Sequence, residues 1–158
     1  MKRKLFGLLT MLVCLSLAGY SQSRISGTSY KTAVGLRVDL GDGSTGVGFN
    51  VKHFFTPTGA VDASLLFFEG DLVGLGAEYQ YNASIPNAPG LKWYAGLGPQ
   101  IIFGDNDTGF GIRPALGMEY KIPNVPLNFG FDWRPLFLLS PDTDTQPARF
   151  GLSFRYAF

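Results

Sequence analysis

The chain of 158 residues holds one cysteine and one histidine, so it lacks the side chains from which most metal sites and nucleophilic catalytic sites are built. A single cysteine also excludes a disulfide-stapled miniprotein. There is no excess of either charge: 13 Lys+Arg stand against 12 Asp+Glu, a formal net charge of +1, which leaves no electrostatic footprint for nucleic acid. Charged residues make up only 16% of the chain and aromatics fully 15%, a balance that excludes a disordered chain and a coiled coil. Beyond the N-terminal segment no apolar run approaches the roughly 18 residues of a membrane helix. What is present in quantity is glycine, 21 residues, together with 10 prolines and a mean hydropathy of +0.12, high for a soluble domain. A chain of this kind that meets a membrane does so through strands.

The N-terminus reads as an export signal. Lys2, Arg3 and Lys4 form a basic start, and Leu5 to Leu17 an apolar stretch too short to span a bilayer, followed by small and polar residues. Residues 1–21 are expected to be a signal peptide cleaved after Ser21, with Ala18 as the alternative; residues 22–29 form a short tail and 30–158 the folded domain. Cys14 lies within the apolar stretch behind Met11, Leu12 and Val13 and is discarded with it, so the mature chain has no disulfide. Loss of the three N-terminal bases leaves the acids in slight excess.

From Tyr30 onward polarity alternates with period two, the mark of strands with one apolar and one polar face. The first segment places Tyr30, Thr32, Val34, Leu36, Val38 and Leu40 opposite Lys31, Ala33, Gly35, Arg37 and Asp39. The second sets Val47, Phe49, Val51, His53 and Phe55 against Gly46, Gly48, Asn50, Lys52 and Phe54. Further segments are expected at about 60–68, 72–82, 91–103, 110–121, 127–137 and 147–158, joined by turn chemistry such as Gly41-Asp42-Gly43 and Thr56-Pro57-Thr58-Gly59. Such short connections make neighbours antiparallel. The expected fold is all-β, an up-and-down antiparallel transmembrane β-barrel of about eight strands, closed so that no edge is left open.

Size decides which face points outward. An eight-stranded barrel has an interior just wide enough for side chains to fill, and the apolar face carries too many large residues to fit there, among them Phe49, Phe67, Trp93, Phe131 and Trp133. The opposite face is rich in glycine, which suits a narrow lumen crossed by long arginine and lysine arms. An aromatic girdle is expected at one rim, formed by Tyr30, Tyr79, Tyr81, Trp93 and Tyr120 with Phe55, Phe129, Tyr156 and Phe158. A lumenal ion-pair network is expected from Arg37, Asp39, Lys52, Asp62, Glu78, Lys92, Arg113, Glu119, Asp132, Arg134, Arg149 and Arg155, with Lys31 and Lys121 also counted as facing inward. The remaining acids, Asp42, Glu69, Asp71, Asp105, Asp107, Asp142 and Asp144, fall in one set of loops that has neither Lys nor Arg.

Val51-Lys52-His53-Phe54-Phe55, the run from Met118-Glu119-Tyr120-Lys121 to Phe131-Asp132-Trp133-Arg134-Pro135, and the ending Phe154-Arg155-Tyr156-Ala157-Phe158 resemble small outer-membrane β-barrel proteins of Gram-negative bacteria, of the OmpA/OmpX type but with shorter loops. That resemblance implies an outer-membrane location and a monomeric barrel among outer-membrane lipids and lipopolysaccharide. It implies transient handling by the secretion apparatus, periplasmic chaperones and the barrel-assembly machinery, with Phe154, Tyr156 and Phe158 as the assembly signal. It implies almost no chemistry.

No enzymatic activity, catalytic residue or cofactor is expected. His53, the single histidine, falls on the lipid face near the periplasmic rim, where Val51 and Phe55 supply neither nucleophile nor orienting acid. Asp132 with Arg134 forms an acid-base pair, which in a lumen is more often structural. Asp105 and Asp107 offer a weak candidate for a divalent cation at the outer rim, in a segment that resembles the start of a calcium loop but lacks its later Glu. Three roles follow in order: a structural or surface-interaction barrel without an open channel, a lipid-modifying barrel enzyme, and a small pore or small-ligand binder.

Overall fold

The alternating segments fold as strands because each has one face for the lumen and one for the outside, and a computed structural model describes residues 29–104 and 107–158 of the result. The leader and its cleavage site lie outside the described residues. The strands are β1 (Thr32–Gly41), β2 (Ser44–Phe54), β3 (Gly59–Phe68), β4 (Val73–Ser84), β5 (Leu91–Phe103), β6 (Thr108–Lys121), β7 (Leu127–Trp133), β8 (Leu136–Ser140), β9 (Asp144–Gln146) and β10 (Arg149–Ala157). All neighbours are antiparallel, and the pairing of β1 with β10 closes the sheet into an eight-stranded barrel.

The seventh wall, read from the sequence as one segment at about 127–137, is broken in two, and a short β9 not read from the sequence precedes the eighth. β7 pairs with the lower half of β6 and β8 with its upper half, in one register from Lys121 to Gly111 that shifts at Phe110. That register sets Pro114 opposite Pro135, so the rung where the ladder lapses is one at which neither chain has an N–H to donate. The Arg113 side chain covers part of the gap, its Nε donating to the Arg134 carbonyl at 3.2 Å. Pro147 separates β9 from β10, and its carbonyl accepts the Trp133 indole N–H at 2.7 Å.

Strand tilt follows from the register. A path across the hydrogen bonds from Gly59 at the start of β3 runs through Tyr81, Ala95, Leu116, Trp133, Phe150, Leu40 and Thr45. The next residue, Gly46, pairs with Phe68 at the far end of β3. One circuit therefore climbs the whole strand, the stagger that a small barrel needs to close.

Tight closure makes specific demands on inward glycines. A Cβ added at Gly35, Gly48 or Gly98 would lie on the backbone carbonyl oxygen of Phe154, Leu65 or Ala77 in the neighbouring strand. These are close-approach glycines at which the wall coils sharply. Replacing Gly48 by Ala is expected to cost about 1–3 kcal/mol, seen as a lower urea midpoint of the folded, gel-shifted form. An unchanged midpoint would remove the close-approach account.

Candidate functional site

The interior gathers most of the chemistry-bearing side chains among the described residues, and it is built by strand parity. The twelve sequence-selected charged residues, from Arg37 to Arg155, are all buried, none more than 4% exposed. Seven are bases and five are acids. Three of the carboxylates, Asp39, Asp62 and Asp132, are each shared by two arginines, and the sharing ties distant walls together.

In the middle of the lumen Asp62 on β3 accepts two hydrogen bonds from Arg37 on β1, at 2.8 and 3.1 Å, one from Arg155 on β10 at 3.2 Å and one from Asn50 at 2.5 Å. Asp132 on β7 accepts from the Tyr94 hydroxyl at 2.5 Å and pairs with Arg134 Nε at 2.9 Å and Arg37 at 3.7 Å. Arg134 also reaches across to Glu78 on β4, which accepts from Gln80 at 3.2 Å.

Toward the end away from the termini, Asp39 on β1 lies between Arg149 and Arg113. Arg149 donates to it through Nε at 3.0 Å, and Arg113 pairs from β6. Toward the terminal end, Glu119 on β6 accepts from Lys52 on β2 at 2.8 Å and from the Tyr30 hydroxyl at 3.0 Å. Lys52 also donates to Asn82 Oδ1 at 2.6 Å. Its ammonium lies 4.4 Å from the centre of the Tyr94 ring. A set of fully buried groups wired this way is satisfied only as a whole.

Several placements correct the sequence reading. Tyr30 does not join the outer girdle. It is 1% exposed and packs inside against Phe54, ring centres 5.2 Å apart, with Ala33, Ala60 and Ala157. The reason lies at the start of β1, where the Lys31 and Thr32 amides both donate to the Phe158 carbonyl, at 3.0 and 2.9 Å. Two residues against one acceptor reverse the alternation, as at a bulge, and turn Tyr30 into the lumen. Lys92 is buried but takes part in none of the ion pairs among the described residues; its ammonium lies 4.8 Å over the Phe54 ring. Lys31 and Lys121, counted as inward, are half-exposed at the rim, and Lys121 donates to the carbonyls of Ile122 and Val125 at 3.0 and 2.6 Å.

The other girdle residues lie on the outer face toward the terminal end. Tyr79, Tyr81, Trp93 and Tyr120 are exposed, and the Tyr81 and Trp93 rings are 5.8 Å apart. Phe154 and Tyr156 are exposed on the outside of β10, while Phe158 fastens the start of β1 by accepting from Thr32 and donating to its carbonyl at 2.8 Å. Asp107 is exposed, and Asp105 lies outside the described residues. No cluster of three potential ligands occurs among the described residues.

Sequence reasoning missed two sets. Asn50, Gln80, Asn82, Gln100 and Asn128 are as buried as the charges; the alternation already put Asn50 and Gln80 on the polar face, but none of the five was counted into the network. It also missed the hydroxyl beside His53: Thr32 Oγ1 lies 2.8 Å from His53 Nδ1 across the β1–β2 ladder. Cross-strand neighbours of this sort need the register, which the sequence does not state. His53 packs edge-on to Phe55 at 4.8 Å, and no carboxylate hydrogen-bonds its ring among the described residues.

No family model matches this chain, and no curated protein does. Among solved structures the chain is similar to one from "De novo design of transmembrane beta-barrels", with 14% identity and a TM-score of 0.65 over 84% of this chain and 99% of that one. At that identity the likeness shows the fold, a barrel like those that span membranes. It bears on the network only by showing what kind of wall surrounds it.

Asp62→Ala leaves Arg37 and Arg155 without their shared acceptor, and the expected loss is about 3–5 kcal/mol by urea unfolding in micelles. Asp42→Asn in an exposed turn is expected to change stability by less than about 0.5 kcal/mol. Equal effects of the two would deny the network its structural weight.

Proposed function

We propose that this is an exported outer-membrane β-barrel of a Gram-negative bacterium, with a structural or surface-interaction role and no open channel. The observation that carries the reading is the inverted polarity: Phe49, Leu75, Leu97, Phe131 and Phe154 stand out from the wall while five carboxylates and seven bases lie within it. An apolar belt outside and a largely paired charged filling inside suit acyl chains around the barrel and a lumen packed with side chains. Tyr30 and Phe54 crowd the lumen at the terminal end.

On this reading residues 1–21 direct export, and the alternating Phe154, Tyr156 and Phe158 serve recognition by the barrel-assembly machinery after periplasmic chaperones release the chain. Outer-membrane lipids and lipopolysaccharide are its lasting partners. The exposed acids Asp42, Glu69, Asp71, Asp142 and Asp144 gather at the opposite end, the side that would face outward. A catalytic role is not part of the reading: the Thr32–His53 pair has a hydroxyl and an imidazole, but among the described residues no carboxylate hydrogen-bonds the ring to orient it.

In planar bilayers the purified barrel is expected to give flat current traces. Reproducible conductance steps would replace the closed barrel with a pore. Unheated samples in SDS are expected to migrate apart from boiled ones; a single denatured position in every condition would contradict membrane-type folding.

A further inference from the structure

The lumen opens at the end away from the termini into a cavity of about 90 Å³. Its floor holds the buried side chains of Arg113, Arg149 and Gln100; Ser44 and Glu69 stand at its mouth, and Phe68 forms an apolar wall. Arg149 lies 5.4 Å over the Phe68 ring.

The two guanidinium groups share one carboxylate, Asp39, and use it unequally. Arg149 is the more heavily engaged, its Nε donating to Asp39 at 3.0 Å, one terminal nitrogen 2.8 Å from the same carboxylate and the other on Gly41 O, Ser44 Oγ and Gln146 Oε1 at 3.2, 3.0 and 3.1 Å. Arg113 is less so. One terminal nitrogen pairs with Asp39, but the other reaches only Gln100 Oε1 at 3.4 Å, and Gln100 Nε2 reaches only the Ile101 carbonyl at 3.5 Å. Both contacts stand at the outer limit of a hydrogen bond. The floor thus offers two under-used N–H donors beside an excess of positive charge.

Above it the field reverses. Asp42, Glu69, Asp71, Asp142 and Asp144 are exposed in the surrounding loops, which contain no Lys or Arg. A free anion is opposed by this rim and a free cation by the floor. A ligand carrying both charges a few ångströms apart is opposed by neither. The space of about 90 Å³ with its open mouth admits a small amino acid.

We propose that the cavity binds a small zwitterion, an α-amino acid with a side chain of about methyl size, its carboxylate on Arg113 and Gln100 and its ammonium toward Glu69. The inference needs the barrel and its open end, and it stands independently of the cellular location proposed above.

The test is titration calorimetry on the full barrel in a non-ionic maltoside, with L-alanine, acetate, ethylammonium and phosphorylethanolamine as probes. Alanine is expected to saturate one site at least tenfold more tightly than acetate or ethylammonium. Glu69→Gln, in an exposed loop outside the wall, is expected to reduce the advantage over acetate to threefold or less with gel mobility unchanged. Leu72→Trp, which fills the mouth, is expected to abolish alanine binding. The proposal is overturned by acetate binding as tightly as alanine, by alanine binding unaltered in Leu72→Trp, or by the absence of any saturable heat. Phosphorylethanolamine binding more tightly than alanine would overturn the amino-acid assignment and point to a lipid headgroup.

Discussion

The structure depends on the burial of charge in a narrow lumen. A carboxylate or guanidinium inside a barrel is tolerable only when its partner is fixed within hydrogen-bond reach, because the isolated ion costs several kcal/mol. Here the partners come from different strands: Asp62 joins β3 to β1 and β10, Asp39 joins β1 to β6 and β10, Glu119 joins β6 to β2, and Glu78 on β4 meets Arg134 from the far wall. The network cannot assemble unless the sheet has closed in the right register. Closure and pairing are one event, and the apolar exterior then has only the surroundings to face.

Glycine is the complement of this arrangement. Long side chains occupy the lumen because other inward positions carry none, and at Gly35, Gly48 and Gly98 the neighbouring strand's carbonyl takes the place where a Cβ would be. The prolines act at a different point. Pro114 and Pro135 meet across β6 and its partner wall at a rung that can lose its amide hydrogen bonds cheaply, since neither residue has one to donate.

Much of this was legible in the residues because a strand's alternation is a direct projection of its two environments. From Thr32 to Ala157 the parity of the apolar and polar faces carried over into outer and inner faces, and turn chemistry such as Gly41-Asp42-Gly43 marked where the chain reverses. Parity was lost where the backbone departed from simple pairing. Tyr30 was assigned outward because nothing local announces that the Lys31 and Thr32 amides share one carbonyl. The break at Arg134-Pro135 carried a warning in its proline that a count of alternating residues passes over. Who pairs with whom, as in Lys92 lying over Phe54 with no carboxylate on it, depends on register and stagger, which are properties of the closed barrel.

The central claim is that the apolar face meets acyl chains and the charged face meets only itself. Spin labels in bilayer-reconstituted protein at Leu75, Phe131 and Ser153 test it most directly, read by collision with oxygen and with a water-soluble nickel complex. The account predicts high oxygen and low nickel access at Leu75 and Phe131, with Ser153 shielded from both. Nickel access at Leu75 and Phe131 equal to that of a label in the Asp142 loop would contradict it.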